Sequence, residues 1–250
     1  MKSDMNPRAP ISPKDVFLRA EWRNLVMLNY EVDASILTKF VPRGTELDYW
    51  NGKLFISLVG FRFLNTKVFG FPFPFHCNFE EVNLRFYVRR RVEGEVRRGV
   101  VFIREIVPRW AIATVARTFY NENYAAMPMS HKIQSKSDGV TTVEYAWKFN
   151  SYWNRIGLMA PGSSVLPTLG SEEQFITEHY WGYAAQKNGS CVEYRVEHPA
   201  WKVWGNGSAF VEGDPSQLYG AGLSAALKNP PASAFLADGS YVTVSRGRRL

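Results

Sequence analysis

Cysteines, long apolar runs and export signals are scarce or missing in this chain of 250 residues. Cys77 and Cys191 are far apart and form no C-x-x-C pair, which excludes a disulfide-rich scaffold and a thiol redox motif. The longest apolar stretch falls within residues 54–61 and contains Ser57. It is far shorter than the roughly 18 apolar residues of a membrane-spanning helix. Because the first residues also lack the apolar core of a signal peptide, we expect a cytoplasmic protein with no membrane partner.

The common catalytic signatures are missing as well. The chain has no G-x-S-x-G elbow, no Walker loop and no H-E-x-x-H motif. Its four histidines have no spacing typical of metal ligands, so each is interpreted as a packed or surface histidine. Residues 220–225 match the dinucleotide pattern G-x-G-x-x-A, but no strand–turn–helix unit surrounds them. The sequence therefore predicts neither a metal nor a cofactor.

Positive charge is concentrated in two places. Residues 85–98 hold six arginines against two glutamates, and three further arginines lie close to residue 250 within a net charge of +7. A basic surface can attract nucleic acid. These arginines, however, flank a predicted hairpin turn at residues 92–95, where solvated charge is ordinary. Nucleic acid is therefore disfavoured as a partner.

The most informative segment runs from Asn78 to Val88, where apolar and polar side chains alternate with period two. Such alternation predicts a β-strand that presents its two faces in turn. One face is apolar and consists of Val82, Leu84, Phe86 and Val88. The other places polar groups between aromatic ones and consists of Phe79, Glu81, Asn83, Arg85 and Tyr87. This second face indicates a wall of a cavity; the alternative is a half-exposed strand whose polar face meets water.

The rest of the chain predicts many strands and few helices. Strands are expected at 22–32, 54–63, 78–90, 98–107, 140–149, 191–197 and 241–245. Helices are expected after Asp33, at 114–124, from the capping box at Ser171 to about Ala184, and after Asp214. The aromatic loop at residues 69–75 could line or cover a pocket. We expect a loose arm at residues 1–14 and a single domain at 15–250, of the α+β class and mainly β, with a mostly antiparallel sheet curled into a barrel.

Several of these segments resemble the DUF2071 family of uncharacterised bacterial proteins. The likeness runs from about Arg19 to the last predicted strand. The matching segments are Trp22 with Val32-Asp33, residues 37–42, residues 79–88, Gly99-Val100-Val101-Phe102, residues 178–183 and His198-Pro199-Ala200-Trp201. The segments at 78–88 and around Glu178 are the most specific of these.

That family in turn resembles acetoacetate decarboxylase, whose fold is an antiparallel barrel with an enclosed apolar pocket. In this comparison Arg23 falls on the decarboxylase's active-site arginine and Glu81 on its active-site glutamate. Residues 116–119 resemble the start of the segment that leads to its Schiff-base lysine. The likeness then breaks, because Met129 and Ser130 stand where the decarboxylase has two adjacent lysines. The activation of one amine by its cationic neighbour has no counterpart here.

Two functions follow from the resemblance, and the sequence leaves both open. In the first, the chain is an enzyme for a small carbonyl or carboxylate compound, with Glu81 as acid/base and Arg23 as a carboxylate clamp. The candidate substrate-binding residues are Asn83, Arg85, Tyr87, Tyr124 and Lys132. Among these, Tyr124 takes the catalytic position in an alignment without gaps, and Lys132 is the only lysine nearby. In the second, the barrel binds or carries an apolar small molecule without catalysis. The resemblance also leaves a homo-oligomer open.

Overall fold

The computed structural model describes residues 10–110, 123–135 and 139–250. The strands within these ranges are β1 Val16–Glu31, β2 Glu46–Leu47, β3 Phe55–Val68, β4 Phe71–Pro72, β5 Phe79–Val92, β6 Glu95–Val107, β7 Tyr124–Ala126, β8 Met129–Ser135, β9 Val140–Phe149, β10 Tyr152–Pro161, β11 Trp181–Ala185, β12 Cys191–Glu197, β13 Val203–Trp204, β14 Ser208–Glu212, β15 Ser233–Ser245 and β16 Arg248–Arg249. The α-helices are Ala34–Leu37, Glu172–Thr177 and Ala221–Leu227, and 3₁₀ turns lie at Pro13–Asp15, Thr38–Phe40 and Pro215–Leu218. The predicted mainly β character is confirmed.

Two sheets make up the described part of the chain. The larger one follows the order β13-β15-β1-β3-β5-β6-β11-β12-β16, and β12 pairs a second time with β15. Its pairings are antiparallel except those of β6 with β7 and with β11. The smaller sheet has the antiparallel order β14-β10-β9-β8. Tyr145 and Trp147 of β9 are fully buried in the same cluster as Leu58 and Leu84, so the smaller sheet covers one face of the larger.

Strand β5 is buried on both of its faces, as period-two alternation between two packed layers requires. Its apolar face, represented by Val82 and Phe86, packs in the cluster beneath the smaller sheet. On the opposite face, Phe79 and Tyr87 belong to a second cluster. The polar residues between them are also buried. The predicted burial of this polar face is therefore confirmed, and the half-exposed alternative is wrong.

The hairpin of β5 and β6 sets the register of the polar groups. Its turn has positive φ angles of 48° at Glu93 and 83° at Gly94, the backbone that tight two-residue turns favour. Between Arg85 and Leu84 the pairing shifts by one residue, and beyond this irregularity Asn83 lies directly opposite Glu105. Both side chains therefore lie on the same face of the sheet.

The helix predicted from the capping box begins as expected and ends early. Ser171 Oγ accepts a hydrogen bond from the backbone N–H of Gln174 at 3.2 Å, which confirms the predicted N-cap. The helix stops at Thr177, and the predicted extension to Ala184 is wrong. Residues 181–185 instead form β11, in which Gly182 lies flat against the Tyr194 ring of β12. Strand pairing on both sides of β11 outweighs the weak helical preference of this segment.

Other boundaries differ from the predictions by whole segments. β1 begins at Val16 and β15 at Ser233, because both strands extend along each other well beyond the expected ends. Most of the helix predicted at 114–124 lies outside the described residues, and Tyr124 begins β7. Residues 1–9 of the expected arm also lie outside them. No helix in the described part of the chain is long and apolar enough to cross a membrane.

Candidate functional site

A cavity of about 430 Å³ lies against the polar face of β5. Its wall is largely aromatic and aliphatic, with Trp22, Phe61, Phe63 and Phe79 among the lining residues. The polar residues that line it are Thr66, His76, Glu81, Asn83, Arg85, Glu105, Tyr124, Thr177, His179, Tyr194 and His198. Few polar groups in a mainly apolar concave wall are typical of small-molecule sites.

Glu81 is the central polar group of this wall. Its residue is 2% exposed, and its two carboxylate oxygens accept hydrogen bonds from Asn83 Nδ2 at 2.8 Å and from the Tyr124 hydroxyl at 3.2 Å. Burial raises the pKa of Glu81 to about 7, because these two bonds and the Arg85 charge offset only part of the cost of desolvation. The carboxyl group can therefore both take up and release a proton near neutral pH.

Asn83 and Glu105 extend the polar strip across the hairpin. The side-chain nitrogen of Asn83 donates a hydrogen bond to Glu81, whereas its side-chain oxygen Oδ1 is buried with no hydrogen-bond partner among the described residues. Glu105 is 1% exposed and lines the same cavity. Glu105 is not among the site residues predicted from the sequence; its signal there is a lone carboxylate close to the apolar residues 100–103 and 106–107.

Arg85 lies farther along β5 and is also buried. Its Nη2 donates a long hydrogen bond of 3.4 Å to the Ile176 carbonyl, at the end of the helix Glu172–Thr177. Its Nε is buried without a hydrogen-bond partner in the described ranges. Because a guanidinium group binds carboxylates through such N–H donors, Arg85 has unused capacity to bind an anion in the cavity.

His179 follows the same helix and is hydrogen-bonded to Asp48, the residue directly after β2. Its Nε2 lies 3.2 Å from Asp48 Oδ2, which also accepts a 2.7 Å hydrogen bond from Arg98 Nε. Burial opposes charge on Asp48, but the hydrogen bonds from His179 and Arg98 and the positive charge of Arg98 help to outweigh it, so the pKa of Asp48 is lowered. Burial lowers the pKa of His179 to about 4 despite its bond to Asp48, so the imidazole is neutral at pH 7.

His198 is a second neutral imidazole in the wall. Its Nδ1 donates to the Pro199 carbonyl at 2.8 Å, and its ring stacks on Trp201 with a centroid distance of 4.1 Å. Desolvation by the surrounding chain lowers its pKa to about 4. The sequence predicts packed or surface histidines at 179 and 198, and nothing in their spacing indicates that they share a cavity.

The structure brings four of the predicted site residues together: Glu81, Asn83, Arg85 and Tyr124. Arg23 is not among the cavity-lining residues, and its side chain is 40% exposed and paired with Glu21 at 2.8 Å. The reason is a bulge at Asn24, which has a φ of 57° and shifts the register with β3. Trp22 and Leu25 both line the cavity, so the alternation skips a residue and Arg23 turns away from it.

Tyr87 and Lys132 are also absent from the described lining. Tyr87 is buried behind the wall, and its hydroxyl lies 2.6 Å from Ser57 Oγ. Lys132 is exposed on β8 of the smaller sheet, opposite Glu144. No lysine occurs among the described residues that line the cavity.

The aromatic loop predicted to line or cover a pocket borders this cavity. Phe69 and Phe73 line it, and all four phenylalanines of the loop are exposed to solvent, Phe75 by 83%. The prediction that the loop lines a pocket is confirmed.

Comparisons with known proteins agree with this architecture. The model of the DUF2071 family, described as an uncharacterised conserved protein, matches residues 19–241. The chain is 27% identical over 188 residues to the uncharacterised protein YqjF of Bacillus subtilis (strain 168), covering 73% of each chain. Among solved structures it is similar to acetoacetate decarboxylase from Legionella pneumophila, with a TM-score of 0.66 and 15% identity over 99% of this chain and 93% of that one. It is also similar to the enduracididine biosynthesis enzyme MppR complexed with pyruvate, with a TM-score of 0.63 and 13% identity over 99% and 94% of the two chains. At these identities the structural likeness shows the fold.

Proposed function

The chain belongs to the DUF2071 family, and we propose that its cavity binds a small carbonyl or carboxylate compound on which Glu81 acts as acid and base. The observation that carries the proposal is the state of Glu81. Its carboxyl group is fully buried in a mainly apolar cavity, is held by two hydrogen-bond donors, and has a pKa of about 7. A general acid or base is most effective when its pKa lies near the working pH.

Arg85 is the anion-binding group of this proposal. It lines the cavity on the same strand face as Glu81 and has a buried N–H without a partner among the described residues. Arg23, the clamp that the resemblance implied, is paired with Glu21 outside the lining. We therefore transfer the clamp to Arg85.

The barrel is a further part of the proposal. Strands β15, β1, β3, β5, β6, β11 and β12 pair in succession, and β12 pairs again with β15. We propose that this ring of pairings is the barrel wall that encloses the ligand. The likeness to acetoacetate decarboxylase and to MppR with pyruvate supports a carbonyl or carboxylate ligand.

The reaction that these groups support is proton transfer next to a carbonyl. The Glu81 carboxylate removes a proton from the adjacent carbon, and the C–H electron pair forms the double bond of an enolate. Protonated Glu81 then returns the proton to carbon. Because no lysine is among the described lining residues, this chemistry proceeds without a Schiff base.

Non-catalytic binding is the second candidate, and the largely apolar wall favours it. The two functions separate in deuterium exchange. Apolar 2-keto acids and β-keto acids that raise the melting temperature would be incubated with the protein in D₂O, and loss of their α-proton signals followed by NMR. We expect exchange that is lost in Glu81→Gln, whereas the exposed turn variant Glu93→Gln exchanges normally. Binding without exchange would establish the carrier function, and absence of binding would overturn the proposal.

A further inference from the structure

We propose that the cavity recognises a hydroxycarboxylate with an apolar chain, whose carboxylate binds Arg85 and whose hydroxyl group donates a hydrogen bond to Nδ1 of His179. This inference rests on the proposed function and deepens it, because it adds a second recognition point and a narrower ligand class. It requires that His179 Nδ1 be an acceptor and that it lie near Arg85 in the cavity.

The acceptor character of Nδ1 follows from the partner of the other ring nitrogen. An ionised carboxylate only accepts hydrogen bonds, and Asp48 Oδ2 lies 3.2 Å from His179 Nε2. The hydrogen of the neutral imidazole is therefore on Nε2, and Nδ1 carries a lone pair. Arg98 balances the Asp48 charge through a 2.7 Å bond, so His179 need not become cationic to do so.

The Nδ1 atom has no other use in the described structure. It is buried without a hydrogen-bond partner among the described residues. The His179 side chain is 1% exposed and lines the cavity. Buried acceptors are nearly always paired, and each exception needs a reason. A ligand hydroxyl supplies that partner.

Arg85 and His179 flank a common neighbour. The Arg85 guanidinium carbon lies 5.8 Å from the centre of the Tyr87 ring, and the His179 ring lies 4.7 Å from it. The charge of Arg85 also contributes to lowering the pKa of His179, as expected of close groups. Both residues line the cavity, so an orphaned donor and an orphaned acceptor lie in the same region of its wall, where one ligand can present a carboxylate to the first and a hydroxyl to the second.

The aromatic part of the cavity wall favours an apolar ring or chain on the rest of the ligand. Phe61, Phe63, Phe79 and Trp22 line the cavity, and they offer an apolar ring or chain favourable burial. A sugar acid or a second carboxylate would leave polar groups against this surface.

The test is calorimetric titration with two matched pairs, 3-phenyllactate against 3-phenylpropanoate and 2-hydroxyhexanoate against hexanoate. We expect the hydroxy acid of at least one pair to bind at least tenfold more tightly than its deoxy partner. His179→Phe removes the acceptor and should abolish this preference, so that the two members of a pair bind with equal affinity. Arg85→Leu should weaken both members of a pair by at least tenfold.

A second variant keeps the imidazole of His179 and changes which ring nitrogen carries the hydrogen. In Asp48→Leu no acceptor holds the ring hydrogen on Nε2, so the hydrogen can move to Nδ1; nitrogen NMR of His179 reports that change. The hydroxyl preference should then be lost although His179 is present. Equal affinity for both members of each pair in the unmodified protein would overturn this inference and leave the proposed carboxylate cavity intact. Absence of binding by all four acids would overturn the inference together with the carboxylate site.

Discussion

Tyr124 donates a hydrogen bond of 3.2 Å to Glu81 Oε2 across the wall of the cavity. Tyr124 begins β7, which pairs in parallel with β6 so that Tyr124 is opposite Glu105. The short strand after the undescribed residues 111–122 therefore delivers a phenol to the carboxylate of β5. This contact stabilises the ionised form of Glu81 and holds its pKa below the value that burial alone would impose.

Removing the phenol should consequently raise the pKa of Glu81. Tyr124→Phe keeps the ring and deletes the donor, and we expect an increase of about half to one pH unit, since a hydrogen bond to a charged group contributes roughly 1 kcal/mol or more. A carbon NMR titration of the Glu81 carboxyl group measures it. An unchanged midpoint would mean that the bond does not favour the ionised form.

Glu81 should also make stability depend on pH. Its pKa is raised from 4.5 to about 7 in the folded protein, so its favourable contribution is fully present below about pH 4.5 and is lost as the pH rises through 7. The side chain in Glu81→Gln is neutral at every pH. The free energy of unfolding of this variant, relative to that of the unmodified protein, should therefore rise by up to about 3 kcal/mol from pH 5 to pH 8. Urea unfolding at both pH values gives the difference. Glu93→Gln is the exposed control and should show no such trend; a flat difference for Glu81→Gln would contradict the raised pKa.

No Schiff base should form in this cavity. After incubation with β-keto acids and borohydride, we expect the intact mass of the protein to be unchanged, because no described lining residue is a lysine and Lys132 is exposed on the other sheet. An adduct that maps to Lys132 and disappears in Lys132→Ala would restore Schiff-base chemistry and refute this expectation.

Gly182 should be sensitive to the smallest side chain. A Cβ atom there would clash with the Tyr194 ring, and Tyr194 is buried and lines the cavity. Gly182→Ala should lower the free energy of unfolding by about 1–3 kcal/mol through overpacking. Gly205→Ala is the control, since its Cβ would approach nothing nearer than 3.9 Å. Equal melting temperatures for the two variants would show that the Tyr194 ring moves aside without loss of stability.

Local patterns account for much of the fold and for part of the site. The alternation in residues 78–88 predicted both the strand and its buried polar face, because period two assigns faces wherever pairing is regular. It could not reveal the bulge at Asn24, where one left-handed residue turns Arg23 away from the cavity. The contact between Asp48 and His179 joins residues far apart in the chain, and only the folded sheet brings them together.

The central claim is that Glu81 exchanges its proton near neutral pH inside a ligand cavity. A carbon NMR titration of the glutamate carboxyl groups, with the Glu81 signal assigned by its loss in Glu81→Gln, tests this claim directly. We expect a midpoint near pH 7 for that signal. A midpoint at the ordinary value of about 4.5 would contradict it and remove the observation on which the proposed acid–base role of Glu81 rests.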